Sequence, residues 1–389
     1  MPPQNRINSI DLLRGIVMII MALDHTRDYF HALAFLDDPL NLQTTTPALF
    51  ATRWITHLCA PAFVFLSGTS AFLQSLRKTK KQLSLFLFTR GLWLILVEVV
   101  IMTFGITFDV HYHLIILQTI WSIGISMVVL SIVIWLPFPV IFALGLIIVT
   151  GHNSLDFYEA ATDKNYSILY SLLHFQGGHP IGDRMLLVFY PFLPWVGTMI
   201  LGYCFGKYYL SDIMNRNKRS ILLGTGLIIF FVVVRLTNLY GDPFEWKQQQ
   251  SLLYTFFSFI NTQKYPPSLL YLCITIGLSL IILGLVGNVK NKLADAITVF
   301  GRVPLFYYII HFYLLHLLSS ILFFMNGHSF EEGAKGAKGV PLKFLIPGEG
   351  FGLPGVYLVW LAVILALYPL CKWFADYKRT HTSWWLSYL

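Results

Sequence analysis

Long apolar runs recur along the whole chain, and they constrain the fold more than any other feature. Inside a bilayer every backbone N–H and C=O group must be hydrogen-bonded within the protein, so runs of about 20 apolar residues are typical of transmembrane helices. Composition agrees, because 56% of the 389 residues are hydrophobic, only 12% are charged and the mean hydropathy is +0.66. We predict an all-α, polytopic membrane protein whose single domain covers residues 1–389. Its ten predicted transmembrane helices form one bundle and lie at residues 8–28, 52–76, 83–106, 113–135, 138–151, 186–206, 220–239, 267–287, 300–324 and 355–374.

Cysteine usage and charge exclude several other classes of protein. The four cysteines are single residues within apolar segments, so the sequence suggests neither a disulfide framework nor a metal site. The net charge of +8 does not indicate nucleic-acid binding, because the basic residues lie in short loops between helices. The first apolar run carries charges and lacks a cleavage site, so no cleavable signal peptide is expected.

The basic loops predict the orientation of the chain. Clusters of Lys and Arg at 77–81, 207–219, 290–292 and 372–379 fall on one side of the predicted membrane. The positive-inside rule makes that side cytoplasmic, with both termini there, in the inner membrane of the cell. The longer loops then lie outside, and the glycine-rich stretch Gly327–Gly352 is predicted to be a flexible outer loop.

The first predicted helix, Ile7 to about Phe30, carries an unusual set of polar residues. Asp11 and Arg14 lie one turn apart, and His25 returns to nearly the same face about 16 Å further along the axis. A charged residue at bilayer depth costs roughly 3 kcal/mol or more, so such residues usually mark a site or an internal pair. The alternative is a helix whose end charges reach the two membrane interfaces.

Other predicted helices place further polar residues at matching depths. Arg53 and His57 begin the second span at the level of Asp24 and His25, whereas Arg302 lies at the inner end of the ninth. His311 and His316 follow on that ninth span but lie about 140° apart, so only one of them is expected to face the bundle. The resulting pattern is cations on the inner side and histidine with carboxylate on the outer side.

This pattern suits an acyl transfer across the bilayer. A donor such as acetyl-CoA is cytoplasmic and anionic, so arginines at an inner mouth suit its phosphates. The acceptor amine or hydroxyl needs a base with a pKa near neutrality, which is the chemistry of histidine. Asp24 points about 100° away from His25, so it is a candidate to orient His57 instead. Histidine can also carry the acyl group covalently, and the sequence does not separate these two mechanisms.

Five stretches, in order, resemble a known family. The segment IDLLRGIVMIIMALDH is similar to the opening signature of transmembrane acyltransferases. RWITHLCAPAFVFLSGTSAFL, YPFLPWVGTMILGY, KYPPSLLYL and GRVPLFYYIIHFYLLH resemble one branch, the bacterial relatives of the heparan-α-glucosaminide N-acetyltransferase catalytic domain. Together these stretches run from residue 8 to about residue 317, which is most of the chain.

The resemblance implies a ten-helix acetyltransferase that uses cytoplasmic acetyl-CoA to acylate an external glycan or amino sugar. It matches His25 to the essential histidine of the superfamily, and Asp11 with Arg14 to the opening signature. The lysosomal branch has Asn at the position of His25 and a histidine after the first helix, where this chain has His31 and then His57. The main base is therefore His25 or His57, with Asp24 beside them.

The predicted site thus joins two groups of residues. We expect catalytic roles for His25, His57 and Asp24, and contacts with acetyl-CoA for Asp11, Arg14, Arg53 and Arg302. The alternative function is a proton-coupled transporter or flippase, which also uses intramembrane His, Asp and Arg, and a purely structural role is the third. The sequence leaves open the acceptor, N- against O-acylation, and whether the chain forms a homodimer.

Overall fold

The structure is a computed structural model that describes residues 8–163, 165–337 and 340–388, and most of these residues are helical. Ile7, which the sequence placed in the first helix, lies outside the described residues. The α-helices are α1 (Asn8–Phe30), α2 (Pro47–Ile55), α3 (Cys59–Ser75), α4 (Lys80–Leu96), α5 (Thr103–Thr107), α6 (Thr119–Val133), α7 (Phe138–Gly151), α8 (Ser154–Ala160), α9 (Ile168–Leu173), α10 (Leu193–Phe205), α11 (Ile213–Thr237), α12 (Leu252–Ile260), α13 (Leu269–Leu285), α14 (Lys292–Arg302), α15 (Pro304–Met325), α16 (Phe330–Lys335) and α17 (Leu353–Thr380).

Helices long and apolar enough to cross a membrane confirm the predicted fold class. Within the described ranges seven meet this criterion. They are Pro47–Ser75, Lys80–Thr107, Phe138–Ala160, Ile213–Thr237, Leu269–Asn288, Pro304–Met325 and Leu353–Thr380. The other three predicted spans correspond to α1, a continuous helix that carries several charged residues, and to α6 and α10, which have 15 and 13 residues. The count of ten transmembrane helices stays a prediction.

A small sheet replaces helix at the start of two predicted spans. Strands β1 (Leu114–Leu117), β2 (Gly177–Ile181) and β3 (Arg184–Val188) pair in the order β1-β3-β2, with β1 parallel and β2 antiparallel to β3. Periodicity cannot show whether a short apolar run such as Leu-Ile-Ile-Leu forms a buried strand or part of a buried helix. The Gly182–Asp183 turn, with Gly182 at φ +63°, is of the kind that closes a two-residue hairpin.

Prolines divide two other predicted spans. The second span begins as α2, passes through a 3₁₀ turn at Thr56–Leu58 and continues as α3, because Pro61 has no N–H to donate to the carbonyl of His57. The ninth is broken at Val303, since the residue before Pro304 is disfavoured in helical conformation. Arg302 therefore ends α14 and does not lie on the same helix as His311.

The described residues divide into two compact units. The first contains residues 8–59, 104–111 and 285–388, and the second contains residues 60–103 and 112–284. The prediction of one functional domain over residues 1–389 stays a prediction.

Helix α1 is the centre of the first unit, and it packs against α14, α15 and α17. The closest approach is to α14, where a Cβ built on Gly301 would overlap the carbonyl oxygen of Asp11, and one built on Gly15 would overlap that of Ile297. Helix α17 is tied to α1 by Trp360, whose indole N–H donates to the carbonyl of Ile19 at 2.9 Å. Glycine at the crossing therefore permits this close packing.

The loop predicted to be flexible contains a short helix and a backbone pairing with α1, and its flexibility stays a prediction. Within Gly327–Gly352, whose residues 338 and 339 lie outside the described residues, Ser329 and Glu332 form a capping box that begins α16. The backbone of Phe351 accepts from Ala32 at 3.0 Å and donates to Phe30 at 2.6 Å, so the loop pairs with the end of α1. A capping box is visible in sequence, but this long-range pairing is not.

Buried ionic side chains organise the second unit. Glu98 is fully buried and accepts the backbone N–H groups of Gln118 and Trp121 at the start of α6. Arg235 lies 3.5 Å from Asp242 and donates to four backbone carbonyls, those of Phe244, Ser258, Phe259 and Asn261. Both are satisfied as structural groups, which is what burial of a charge requires.

The packing of α1 on α14 generates a testable prediction. Gly301→Ala should lower stability by about 1–3 kcal/mol or more, because the new methyl group overlaps the backbone of α1. The matched control is Gly226→Ala in α11, where a methyl group meets open space. Thermal unfolding of the purified chain in detergent measures both. Equal midpoints for the two variants would contradict the predicted packing.

Candidate functional site

His25 of α1 and His311 of α15 form a hydrogen-bonded pair in the first unit. Nδ1 of His25 lies 2.7 Å from Nε2 of His311, and the two rings are nearly coplanar, with an interplanar angle of 20° and centroids 5.0 Å apart. His311 is fully buried, whereas His25 is half-buried. The pair joins residues 286 positions apart in the chain.

The backbone carbonyl of Tyr307 determines which nitrogen carries the hydrogen in the rings of His311 and His25. Nδ1 of His311 lies 3.0 Å from the carbonyl oxygen of Tyr307, which can only accept a hydrogen bond. A neutral His311 therefore donates from Nδ1 and accepts at Nε2, so His25 must donate from its own Nδ1. Nε2 of His25 is then the nitrogen that carries the lone pair, which is the form a general base requires.

Aromatic residues of α15 hold the His25 ring in place. The ring of Phe312 lies 4.2 Å from that of His25, and Tyr308 approaches edge-on at 6.1 Å. The other histidine of α15, His316, has a different setting, with its ring nitrogens 3.1 Å and 2.8 Å from the carbonyl oxygens of Gly105 and Lys343. His316 thus ties segments of the first unit together, and His311 faces the candidate base.

Asp24, next to His25, is the centre of an ion-pair cluster. Its carboxylate lies 3.0 Å from Arg53 of α2 and 3.2 Å from Arg27. Arg53 also donates to the hydroxyl of Thr56 at 2.9 Å, and Arg27 lies 2.6 Å from Asp28. The cluster joins α2 to α1. The predicted role of Asp24 in orienting His57 stays a prediction.

A small open pocket, with a cavity volume of about 20 Å³, lies beside this cluster. It is lined by Arg27, His31, Asp37, Asp38 and Thr44, together with apolar residues of the loop after α1. Burial, and secondarily the charge of Arg27, lower the pKa of His31 below 6.5, so its ring is neutral at neutral pH. Hydrogen bonds from Thr44 and then Asn41 lower the pKa of Asp37, so that carboxylate is ionised. The pocket therefore presents one cation and acidic groups to a polar molecule.

His31 differs from His25 in its tautomer. The backbone N–H of Leu33 donates to Nδ1 of His31 at 3.2 Å, which uses the lone pair of that nitrogen. A neutral His31 then carries its proton on Nε2 and presents a donor to the pocket. His31 is thus arranged to donate a hydrogen bond, and His25 to accept a proton.

The N-terminal end of α1 carries a second group of polar side chains, Asp11 and Arg14. Arg14 lies 3.4 Å from Asp11, and close packing of Gly301 on Asp11 brings Arg302 to the same region. Among the described residues, Oδ2 of Asp11, Oγ of Ser9 and Nε of Arg302 are buried without a hydrogen-bond partner. Buried polar atoms of this kind call for a partner, which a bound molecule can supply.

The two ends of α1 are well separated. Asp11 and Asp24 are 13 residues apart, which is about 20 Å along a helix axis. Arg53 belongs to the Asp24 end, and its predicted contact with acetyl-CoA stays a prediction. His57 is buried in the 3₁₀ turn between α2 and α3, with its ring 6.5 Å from that of Trp54.

Two residues of the site were not among those predicted. His311 was considered as an intramembrane histidine, but its partner could not be read from sequence. The predicted site does not include Arg27, although its spacing of three residues from Asp24 puts both on one helical face. Spacing within α1 could have found Arg27, whereas only the tertiary packing of α15 reveals His311.

These features define a polytopic helical membrane protein with a paired histidine and an ion-pair cluster on one helix. The sequence model of the heparan-alpha-glucosaminide N-acetyltransferase catalytic family matches residues 6–236, more than half of the chain. The chain belongs to this family, which confirms the resemblance and supports a transmembrane acetyltransferase-like function. A search of the curated proteins gives no match. His25 lies within the matched residues, and His311 and Arg302 lie beyond them.

From the ion-pair cluster we expect removal of the Asp24 charge to lower stability more than removal of the Asp28 charge. Asp24→Asn should cost about 3–5 kcal/mol of stability, because the buried guanidinium of Arg53 loses the carboxylate of Asp24 and that of Arg27 loses one of its two carboxylates. Asp28→Asn is the control and should cost at most about 1 kcal/mol, since the Asp28 side chain is 38% exposed. Unfolding of the purified variants by SDS titration measures the difference. A smaller loss for Asp24→Asn than for Asp28→Asn would contradict the arrangement.

Proposed function

We propose that this chain transfers an acetyl group from acetyl-CoA to an amino or hydroxyl group of a sugar or glycan, with His25 as general base. The observation that carries the proposal is the His25–His311 hydrogen bond, which leaves the lone pair on Nε2 of a half-buried His25. The family supplies the reaction class. The charge rule supplies the direction, with the donor in the cytoplasm and the acceptor on the opposite side.

The proposed reaction is a direct acyl transfer. Nε2 of His25 accepts the proton of the acceptor amine or hydroxyl as that atom attacks the thioester carbonyl carbon. The tetrahedral intermediate collapses, the C–S bond breaks and the CoA thiolate leaves. The proton on His25 then passes to the thiolate, so the products are the acetylated acceptor and free CoA. His311 stabilises the imidazolium that forms, by accepting from Nδ1 throughout.

The Asp11 end of α1 is the proposed donor site. Arg14 and Arg302 supply cationic groups for the CoA phosphates, and Asp11 holds Arg14 at 3.4 Å. The buried Oδ2 of Asp11 suits an amide or amine N–H of the donor. Acetyl-CoA acts here as a substrate, so no resident cofactor is required.

The pocket beside Asp24 is the proposed acceptor site. Arg27, His31 and Asp37 offer both donors and acceptors of hydrogen bonds, as recognition of a sugar requires. His31 orients the acceptor in this account, because its Nε2 carries a proton at neutral pH. The family match favours acetyl transfer over the alternative of a transporter or flippase.

His25→Ala should abolish turnover, with a fall in kcat of about 10²–10⁴-fold, because a positioned base contributes that much. His311→Phe keeps a ring of similar size but removes the acceptor for Nδ1. It should lower kcat while changing the KM for acetyl-CoA by less than about twofold, since its effect is on the base. The measurement is CoA thiol release from acetyl-CoA with glucosamine as the probe acceptor.

The control for these variants is His381→Ala, since His381 is exposed after the end of α17. It should retain the kcat of the unmodified chain. Full activity of His25→Ala together with an inactive His57→Ala would move the role of base to His57.

Mass spectrometry of the chain after incubation with acetyl-CoA alone separates direct transfer from an acetyl-histidine intermediate.

Arg14→Ala should weaken CoA binding at least about tenfold, because a charge-assisted bond to phosphate is lost. Arg379→Ala is the matched control, since the Arg379 side chain is 77% exposed and lies in the predicted cytoplasmic tail. Calorimetric titration of CoA into the purified chain measures both affinities. An equal loss of CoA affinity in Arg14→Ala and Arg379→Ala would indicate general electrostatic attraction and contradict a donor site at Asp11.

A further inference from the structure

Three metal-ligating side chains meet in the second unit, within the segment from α8 to the end of α9. Asp156 and Glu159 lie three residues apart on one face of α8, and His174 follows α9. One ligand atom from each lies within 4.8 Å of the others. His174 is fully buried, and the two carboxylates are half-buried.

Each of the three side chains is held by a further hydrogen bond. Nδ2 of Asn153 donates to Asp156 at 2.6 Å, and the hydroxyl of Tyr170 donates to Glu159 at 3.1 Å. Nε2 of His174 lies 3.0 Å from Nδ1 of His152. Metal ligands in proteins are oriented by outer partners of this kind.

Asn153 connects this arrangement to another helix. Its Oδ1 accepts the backbone N–H of Leu269 at 2.8 Å, at the start of α13. The side-chain amide of Asn153 therefore orients Asp156 through Nδ2 and is itself held by Leu269 through Oδ1. The carboxylate of Asp156 is thus positioned before any ligand arrives.

The charge and the ring nitrogens of the cluster are suited to a cation. Nδ1 of His174 lies 2.8 Å from Oε1 of Glu159. If His174 donates its Nε2 hydrogen to His152, the lone pair on Nδ1 faces a carboxylate oxygen, and Asp156 adds a second negative charge nearby. That lone pair then points at the carboxylates as a metal ligand does, whereas in the other tautomer Nδ1 donates to Glu159 and Nε2 accepts from His152.

We propose that His174, Glu159 and Asp156 form a binding site for a divalent cation of the zinc class. One imidazole nitrogen and two carboxylate oxygens suit Zn²⁺, whereas Ca²⁺ takes six to eight oxygen ligands. The ion ties α8 to the end of α9, and water completes its coordination. The site takes no part in the acetyl transfer proposed above, and it revises the expectation from cysteine spacing that the chain holds no metal.

Zinc binding to the full-length, tag-free chain in detergent tests this proposal. After chelator treatment, titration with Zn²⁺ against a competing chelating dye should show one tight site per chain. Glu159→Gln and Asp156→Asn should each weaken it at least about tenfold by removing a charged ligand. Asp183→Asn, which removes an exposed acid at the β2–β3 turn, is the control and should bind as the unmodified chain does.

Two further measurements separate a metal site from a structural ion pair. Tyr170→Phe keeps all three ligands and removes only the bond to Glu159, so it should weaken Zn²⁺ binding about 10–100-fold. Zn²⁺ should raise the thermal midpoint of the unmodified chain and of Asp183→Asn, and leave that of Glu159→Gln unchanged. Equal Zn²⁺ affinity in Glu159→Gln and the unmodified chain, or no tight site in either, would overturn the proposal. The cluster would then be a metal-free hydrogen bond between His174 and Glu159.

Discussion

The need to pair every charge that is buried among apolar residues organises the first unit. Helix α1 carries charged groups near both ends, and each of them meets a partner. Arg14 faces Asp11, and Asp24 faces Arg53 and Arg27. Because Arg53 comes from α2, this requirement fixes the position of a second helix. His25 of α1 is likewise paired, through its hydrogen bond with His311 of α15. Glycines at the crossing of α1 and α14 allow the close packing of these two helices.

The same constraint gives α1 two chemically different ends. At one end the cations Arg14 and Arg302 and a buried carboxylate oxygen suit an anionic molecule with amide groups. At the other, about 20 Å away along the axis, a polar pocket adjoins an ion-pair cluster. His25 lies one residue beyond Asp24, with its ring oriented by His311 and not by the neighbouring carboxylate. The proposed acyl transfer assigns the donor to the first end and the acceptor to the second, where His25 is the base.

Sequence reasoning predicted the fold class, the family and the unusual character of α1, because hydropathy and residue spacing carry those signals directly. It did not predict the breaks at Val303 and at Thr56–Leu58, although Pro304 and Pro61 give their cause. The sequence predicts helix at Leu114–Leu117, where the structure has a strand, since four apolar residues have no diagnostic period. The His25–His311 pair could not be predicted, because it joins residues 286 positions apart. The His174 cluster could not be predicted, because it depends on how the chain folds back between α8 and α9.

Vectorial acetyl transfer in proteoliposomes tests the central claim most directly. The purified chain is reconstituted, acetyl-CoA is supplied only on the side that exposes the basic loops, and glucosamine only on the other. The account predicts release of CoA on the donor side and acetylated glucosamine on the acceptor side, both lost in His25→Ala. Transfer only when donor and acceptor share one side, or thiol release that His25→Ala leaves unchanged, would contradict it.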